Sequence, residues 1–82
     1  MMADVKFLAE IEDRMTHERI NGSAATLEAA KDQAWKETKR IASTLLRGLY
    51  TVTMTFEQNG EWLCSEEGTI LVSYGGNVEV CV

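Results

Sequence analysis

The apolar period of this chain changes at Gly48, and that change confines it to a small set of folds. Before it, Leu27, Ala30, Ala34, Thr38, Ile41 and Leu45 recur at three- and four-residue steps, the spacing of one helix face. After it, Tyr50, Val52, Met54 and Phe56 alternate with Thr51, Thr53, Thr55 and Glu57, the period of a strand with one buried side. An amphipathic helix and a half-apolar sheet each need a cover. Eighty-two residues give room for a single core, in which each can cover the other. The sequence therefore predicts one α+β domain over residues 1–82, an antiparallel four- or five-stranded sheet with one long helix packed across one face.

The helix is expected over residues 26–46. Thr26 is placed to cap it, since its hydroxyl can accept an orphan amide of the first turn. Trp35 and Ala42 widen the apolar stripe, Arg47 suits the negative end of the helix dipole, and Gly48 is expected to stop the helix in a left-handed cap. Asn59-Gly60 predicts a two-residue hairpin turn. That register sets Phe56 opposite Leu63 on the core face, with Glu57 opposite Trp62 and Thr55 opposite Cys64 on the other. A second turn is expected at Glu67-Gly68, bringing Leu63 beside Val72 and Ser65 beside Ile70. A third, at Gly75-Gly76 with Asn77 in the loop, pairs Val72 with Val80 and Tyr74 with Val78.

The beginning of the chain reads two ways. Val5, Phe7, Ala9 and Ile11 alternate like a strand, while Val5, Leu8, Ile11 and Met15 also fit a helix. Strand is preferred; a helix there would fold back over the outer sheet face. Residues 16–25 are expected to form a polar connection around Asn21-Gly22. The register puts Cys64 and Cys81 on the outer face, two strands apart. At about 9–10 Å they are beyond the reach of a disulfide, so both are expected as free thiols. Asp4 and Lys6 interrupt any export signal, and no segment approaches the length of a membrane span. The expectation is a cytoplasmic protein, in a host cell, with no membrane contact.

Charge divides the chain at the same place as the period. All 8 lysines and arginines lie at or before Arg47, and 8 acids offset them there. The formal charge of -5 therefore comes from Glu57, Glu61, Glu66, Glu67 and Glu79. An acidic chain whose basic run Lys36, Lys39, Arg40 is interrupted by Glu37 disfavours direct nucleic-acid binding. His17, the single histidine, stands in a polar stretch with no nucleophile motif and reads as a solvated loop residue. No ligand spacing for a metal is present, and Gly75-Gly76 opens no phosphate-binding helix. No catalytic residue, metal or cofactor is expected.

The outer sheet face is expected to carry Trp62, Thr53, Thr55, Glu57, Cys64, Leu71, Ser73, Glu79 and Cys81. An exposed tryptophan among glutamates has the composition of an interface anchor within an acidic rim. The candidate partner-binding residues are accordingly Glu57, Glu61, Trp62, Glu66, Glu67 and Glu79. The plainer alternative is that Trp62 covers neighbouring threonines and the charge maintains solubility.

Lys39-Arg40-Ile41-Ala42-Ser43 near the helix end, followed by Thr51-Val52 and the hairpin Asn59-Gly60-Glu61-Trp62-Leu63, resembles the helix-to-hairpin core of a small phage anti-CRISPR family, the ninth group of type I-F inhibitors. The resemblance covers about a third of the chain, through motifs that hairpin chemistry also produces in unrelated folds. It implies a small antiparallel sheet with a helix. It also implies binding to a crRNA-guided surveillance complex and blocking of target DNA. Asn59, Gly60, Trp62 and Leu63 are the positions it matches, in structural roles. This helix reads as about two turns longer, and the family's basic residues after the hairpin are missing here, which leaves no support for an activity that draws in DNA.

The expected function is a non-enzymatic inhibitor, a phage anti-CRISPR whose acidic sheet blocks a basic nucleic-acid-binding protein surface. The alternative is a self-assembling phage or bacterial structural protein, a homodimer joined through residues 77–82 at the sheet edge.

Overall fold

A computed structural model describes residues 3–81. The elements run β1 (Val5–Glu12), β2 (His17–Ala24), α1 (Leu27–Ala42), β3 (Gly48–Gln58), β4 (Glu61–Val72) and β5 (Val78–Cys81), with a single 3₁₀ turn at Tyr74–Gly76. They form one antiparallel sheet of five strands in the order β2-β1-β3-β4-β5. The α+β architecture with one helix on one face is as the sequence implies.

The initial segment is a strand, and its alternation sends Val5, Phe7, Ala9 and Ile11 into the core. The polar stretch after it, expected as a connection, is strand β2, paired with β1 along its whole length from Val5–Ala24 to Glu12–His17. Its side chains gave no strand signal because an edge strand draws its energy from backbone pairing and needs little apolar surface. Gly22 is a mid-strand residue there, not a turn. The ring of Phe7 lies across it, so a Cβ at Gly22 would stand 2.5 Å from the ring's Cζ. His17 begins β2, and its Nε2 donates to the Glu10 carboxylate on the neighbouring strand.

Helix α1 starts as expected: Thr26 Oγ1 accepts from the Ala29 amide at 3.1 Å. It ends at Ala42, earlier than the apolar stripe suggests. Ser43 and Thr44 donate their hydroxyls to the carbonyls of Arg40 and Ile41, both at 2.7 Å, while the amides of Thr44 and Leu45 take three-residue bonds. Those local bonds tighten the chain out of the α-helix. Gly48 is thus not a helix cap but the first residue of β3, and Arg47 lies beyond the helix with its guanidinium 4.2 Å from the Tyr74 ring centroid.

Ala30, Ala34, Thr38 and Ala42 are fully buried at four-residue spacing, so small side chains bring α1 close onto the sheet. Opposing them are Phe7, Ile11, Tyr50, Val52, Met54, Phe56, Ile70 and Val72. Tyr50 donates its hydroxyl to the Leu46 carbonyl at 2.6 Å, which fastens the connection to the core. The helix lies over β1 and β2 and touches β3 only lightly. A helix about 10 Å across covers roughly two strands at 4.8 Å spacing. The β4–β5 side of the sheet is left with little above it.

The hairpin turn at Asn59-Gly60 has both residues at positive φ, 55° and 78°, and pairs Glu57 with Trp62 as expected. Beyond that pair a β-bulge intervenes. Leu63 has no partner, Phe56 faces Cys64, and Thr55 faces Ser65. Two adjacent apolar residues, Trp62 and Leu63, cannot both follow a period of two, and the bulge absorbs the conflict. The expected turn at Glu67-Gly68 does not exist: β4 continues unbroken through it. The last turn is centred one residue earlier than expected, on residues 74–76, so Val72 pairs with Val78 and Ile70 with Val80, closed by the Ser73 amide on the Asn77 carbonyl at 2.9 Å. Tyr74 is consequently exposed. β5 is the edge strand; Val82, included in the expected edge, lies outside the described residues.

Candidate interaction surface on the acidic half of the sheet

Register decides which glutamates share a face. On the outer face Glu57 stands opposite Trp62, Glu67 opposite Thr53, and Glu79 opposite Leu71. Lys6 is the cross-strand neighbour of Glu57 on β1, whereas Glu67 and Glu79 have no base beside them in the register. Glu61 is the first residue after the turn and is exposed. Of the six candidate residues, four (Glu57, Trp62, Glu67 and Glu79) therefore share the outer face, and Glu61 sits at the hairpin end. Trp62 and Leu71 mark opposite ends of β4, about 30 Å apart at strand rise. That is several Debye lengths at physiological salt, so Glu79 acts apart from Glu57 and Glu61, with Glu67 about midway between the two ends.

Trp62 is 67% exposed, and its indole Nε1 donates to Ser65 Oγ at 3.0 Å. The bond holds the ring in one orientation on an open face, which lowers the ordering cost of a contact made through it. Leu49 and Leu71 form a second exposed apolar pair at the far end of the face. Between the two lie Thr51, Thr53, Thr55, Ser65 and Thr69.

Glu66 departs from the expectation. It points to the helix side of the sheet, where its carboxylate accepts from Trp35 Nε1 at 3.2 Å and from Lys31 Nζ at 3.2 Å. The hydrogen bond and charge of Glu66 hold the Lys31 ammonium pKa above its ordinary 10.5. Cys64, expected on the outer face, also turns toward the helix and packs against the core. The bulge at Leu63 is the cause in both cases, because it reverses the alternation that the turn alone would impose. Cys81 stays outside, so the two thiols are free and on opposite faces.

Lys31–Glu66 is one rung of a seam between α1 and β4. Trp35 is the next: its ring lies on Gly68, where an added Cβ would come within 3.1 Å of Cη2. Lys39 follows on the helix and lines one groove with Val80 of β5. Four helical residues rise about 6 Å and two strand residues about 6.7 Å, so the two elements stay in step over these rungs. Beyond the seam is a groove of about 520 Å³ lined by Trp35, Lys39, Glu66, Glu67, Gly68 and Val80. Sequence reasoning placed Trp35 at the margin of the helix stripe but missed the groove. The available signal was a mid-strand glycine, which often marks a close approach.

Among the described residues no three His, Cys, Asp or Glu side chains converge as metal ligands, and no helix is long and apolar enough to cross a membrane. Comparison with protein-family models, curated proteins and solved structures gives no match.

Proposed function

We propose that this chain is a non-enzymatic binding protein that docks the acidic half of its sheet onto a basic protein surface. The observation that carries this reading is Trp62, exposed and held by Ser65 on a face that no other element covers. Glu57 and Glu61 flank it at the hairpin end, Glu67 lies about 16 Å further along β4, and together they supply attraction during encounter, while burial of the indole governs dissociation. The resemblance of the helix-to-hairpin segment to type I-F anti-CRISPR proteins directs the reading to one partner class, the basic nucleic-acid-binding surface of a crRNA-guided surveillance complex. Inhibition follows from occupying that surface.

The test is binding to purified type I-F surveillance complex, with target-DNA binding as the competing event. Trp62→Ala is expected to raise the off-rate about tenfold or more, and Glu57→Lys with Glu67→Lys to slow association. Binding should weaken as salt rises above about 0.15 M. An unchanged affinity for Trp62→Ala removes the anchor, and no competition with target DNA removes the inhibitor reading.

A second reading, self-assembly, is favoured by one observation: β5 pairs only with residues 69–72 of the much longer β4. Exposed strand edge invites a second copy. Sedimentation at high concentration separates a dimer from a monomer.

A further inference from the structure

β4 spans Glu61–Val72, yet on its β5 side the described pairs begin at Thr69. Residues 61–67 have β3 on one flank and no described strand on the other. In an antiparallel strand alternate residues direct their amide and carbonyl groups to each flank, so this stretch presents a row of unmatched donors and acceptors. Such edges are ordinarily blocked by lysine, proline or an inward charge. This one has neither lysine nor proline. The bulge at Leu63 interrupts only the end near the turn. Glu66 is the inward charge on this stretch, and its carboxylate is already matched by Lys31 and Trp35, so an added strand meets a neutralised pair there.

We infer that the open edge of β4 accepts an extended segment of the partner as an added strand, lying end to end with β5, with apolar side chains entering the groove beside Trp35 and lysine or arginine side chains facing Glu67. The inference rests on the binding reading above and specifies its mode. Three features select this occupant. The added strand's inner side chains meet Trp35, Gly68 and Val80, the apolar part of a groove whose rim carries Lys39 and Glu66. Its outer side chains meet the side of the sheet that carries Glu67 and, further along, Glu79, with no base in register beside either. A second copy of this chain fits less well, because joining two β4 edges repeats Glu61, Glu66 and Glu67 across the joint. Backbone pairing supplies affinity in such an arrangement and alternate side chains supply selectivity.

The probe is an acetylated, amidated peptide alternating lysine and valine, added to the wild-type protein and followed by NMR. At saturation the amides within residues 64–67 are expected to exchange about tenfold or more slowly, and the Trp35 indole N–H signal to shift. A peptide with glutamate in place of lysine should not compete. A peptide N-methylated at alternate residues should lose binding, since its backbone cannot pair. Glu67→Lys should weaken capture about tenfold, with circular dichroism confirming that the exposed substitution leaves the fold intact. Equal binding of the N-methylated peptide overturns the proposal, as does unchanged exchange at 64–67 or no binding at millimolar peptide. Protection of 64–67 in the free protein together with a dimeric mass also overturns it, assigning the edge to a second copy. Trp62→Ala should leave peptide capture intact. Failure of the wild-type protein to bind the surveillance complex with peptide capture kept therefore overturns the partner reading alone, and complex binding without peptide capture overturns the edge alone.

Discussion

The two flanks of the sheet share one pairing pattern and differ in almost everything laid upon it. At the β2–β1 flank the helix lies overhead, the core is closed, and charges are offset locally: His17 and Arg19 both reach Glu10 across the β1–β2 pair. At the β4–β5 flank a single seam of helix side chains stands over the sheet, the outer acids lack bases, and part of the edge is open. One helix cannot roof five strands, and its small-residue stripe settles which strands it covers. The flank left over is free for contact with something else. On the binding reading proposed above, stability and recognition are divided between two ends of the same sheet.

That division can be broken or sharpened by substitution. The largest effect is expected from Phe56→Ala beneath the helix, where a fully buried ring tilted against Phe7 is lost; chemical denaturation should show a fall of about 3–5 kcal/mol. Gly22→Ala should cost about 1–3 kcal/mol by the same measurement, because the added Cβ displaces the buried Phe7 ring. Thr38→Val should act in the opposite direction. The Thr38 Oγ1 is buried without a hydrogen-bond partner, and a methyl of similar shape in its place should raise stability by about 1 kcal/mol. On the open flank, Trp62→Ala should change folding stability by no more than about 0.5 kcal/mol. A loss there as large as that for Phe56→Ala would erase the division.

The smallest effect is at the seam. Lys31 has its folded pKa raised by Glu66, so its contribution is fully present below the ordinary value of 10.5 and is lost as pH rises through the higher folded value. Lys31→Met should remove this alkaline slope from the denaturation midpoint while leaving the neutral fold unchanged. An identical alkaline slope in the variant would show that the rung contributes nothing to the docking of α1.

How much of this was legible in the chain depended on whether a residue answered to its own segment or to a distant one. The β3 alternation, the cap at Thr26, the Asn59-Gly60 turn and the Glu57–Trp62 pair are local, and each was readable. Gly22 and Gly68 were misread as turn residues for one shared reason. Each is a mid-strand glycine beneath an aromatic ring supplied from elsewhere, Phe7 in one case and Trp35 in the other. A turn glycine and a space-making glycine look alike until the neighbouring element is placed. Glu66 was counted with the outer acids because the residue inserted at Leu63 reverses the alternation of β4 beyond it, and its role depends on the helix lying alongside. Cys64 was misplaced by one inserted residue. The groove was invisible for the same reason as Glu66, since its walls come from α1, β4 and β5.

The bulge at Leu63 has a consequence for how this surface can change. Glu57–Trp62 and Phe56–Cys64 are consecutive pairs on β3, so excising Leu63 would leave every described pair of the β3–β4 ladder in place. Leu63 is thus the one position in the hairpin where the chain's parity can be altered without moving the core. With it, the hairpin end has extra twist and an unpaired, partly exposed leucine beside Trp62; without it, a straight ribbon. A lineage carrying this domain has at that point a one-codon means of re-aiming its tryptophan while the helix-covered flank stays as it is.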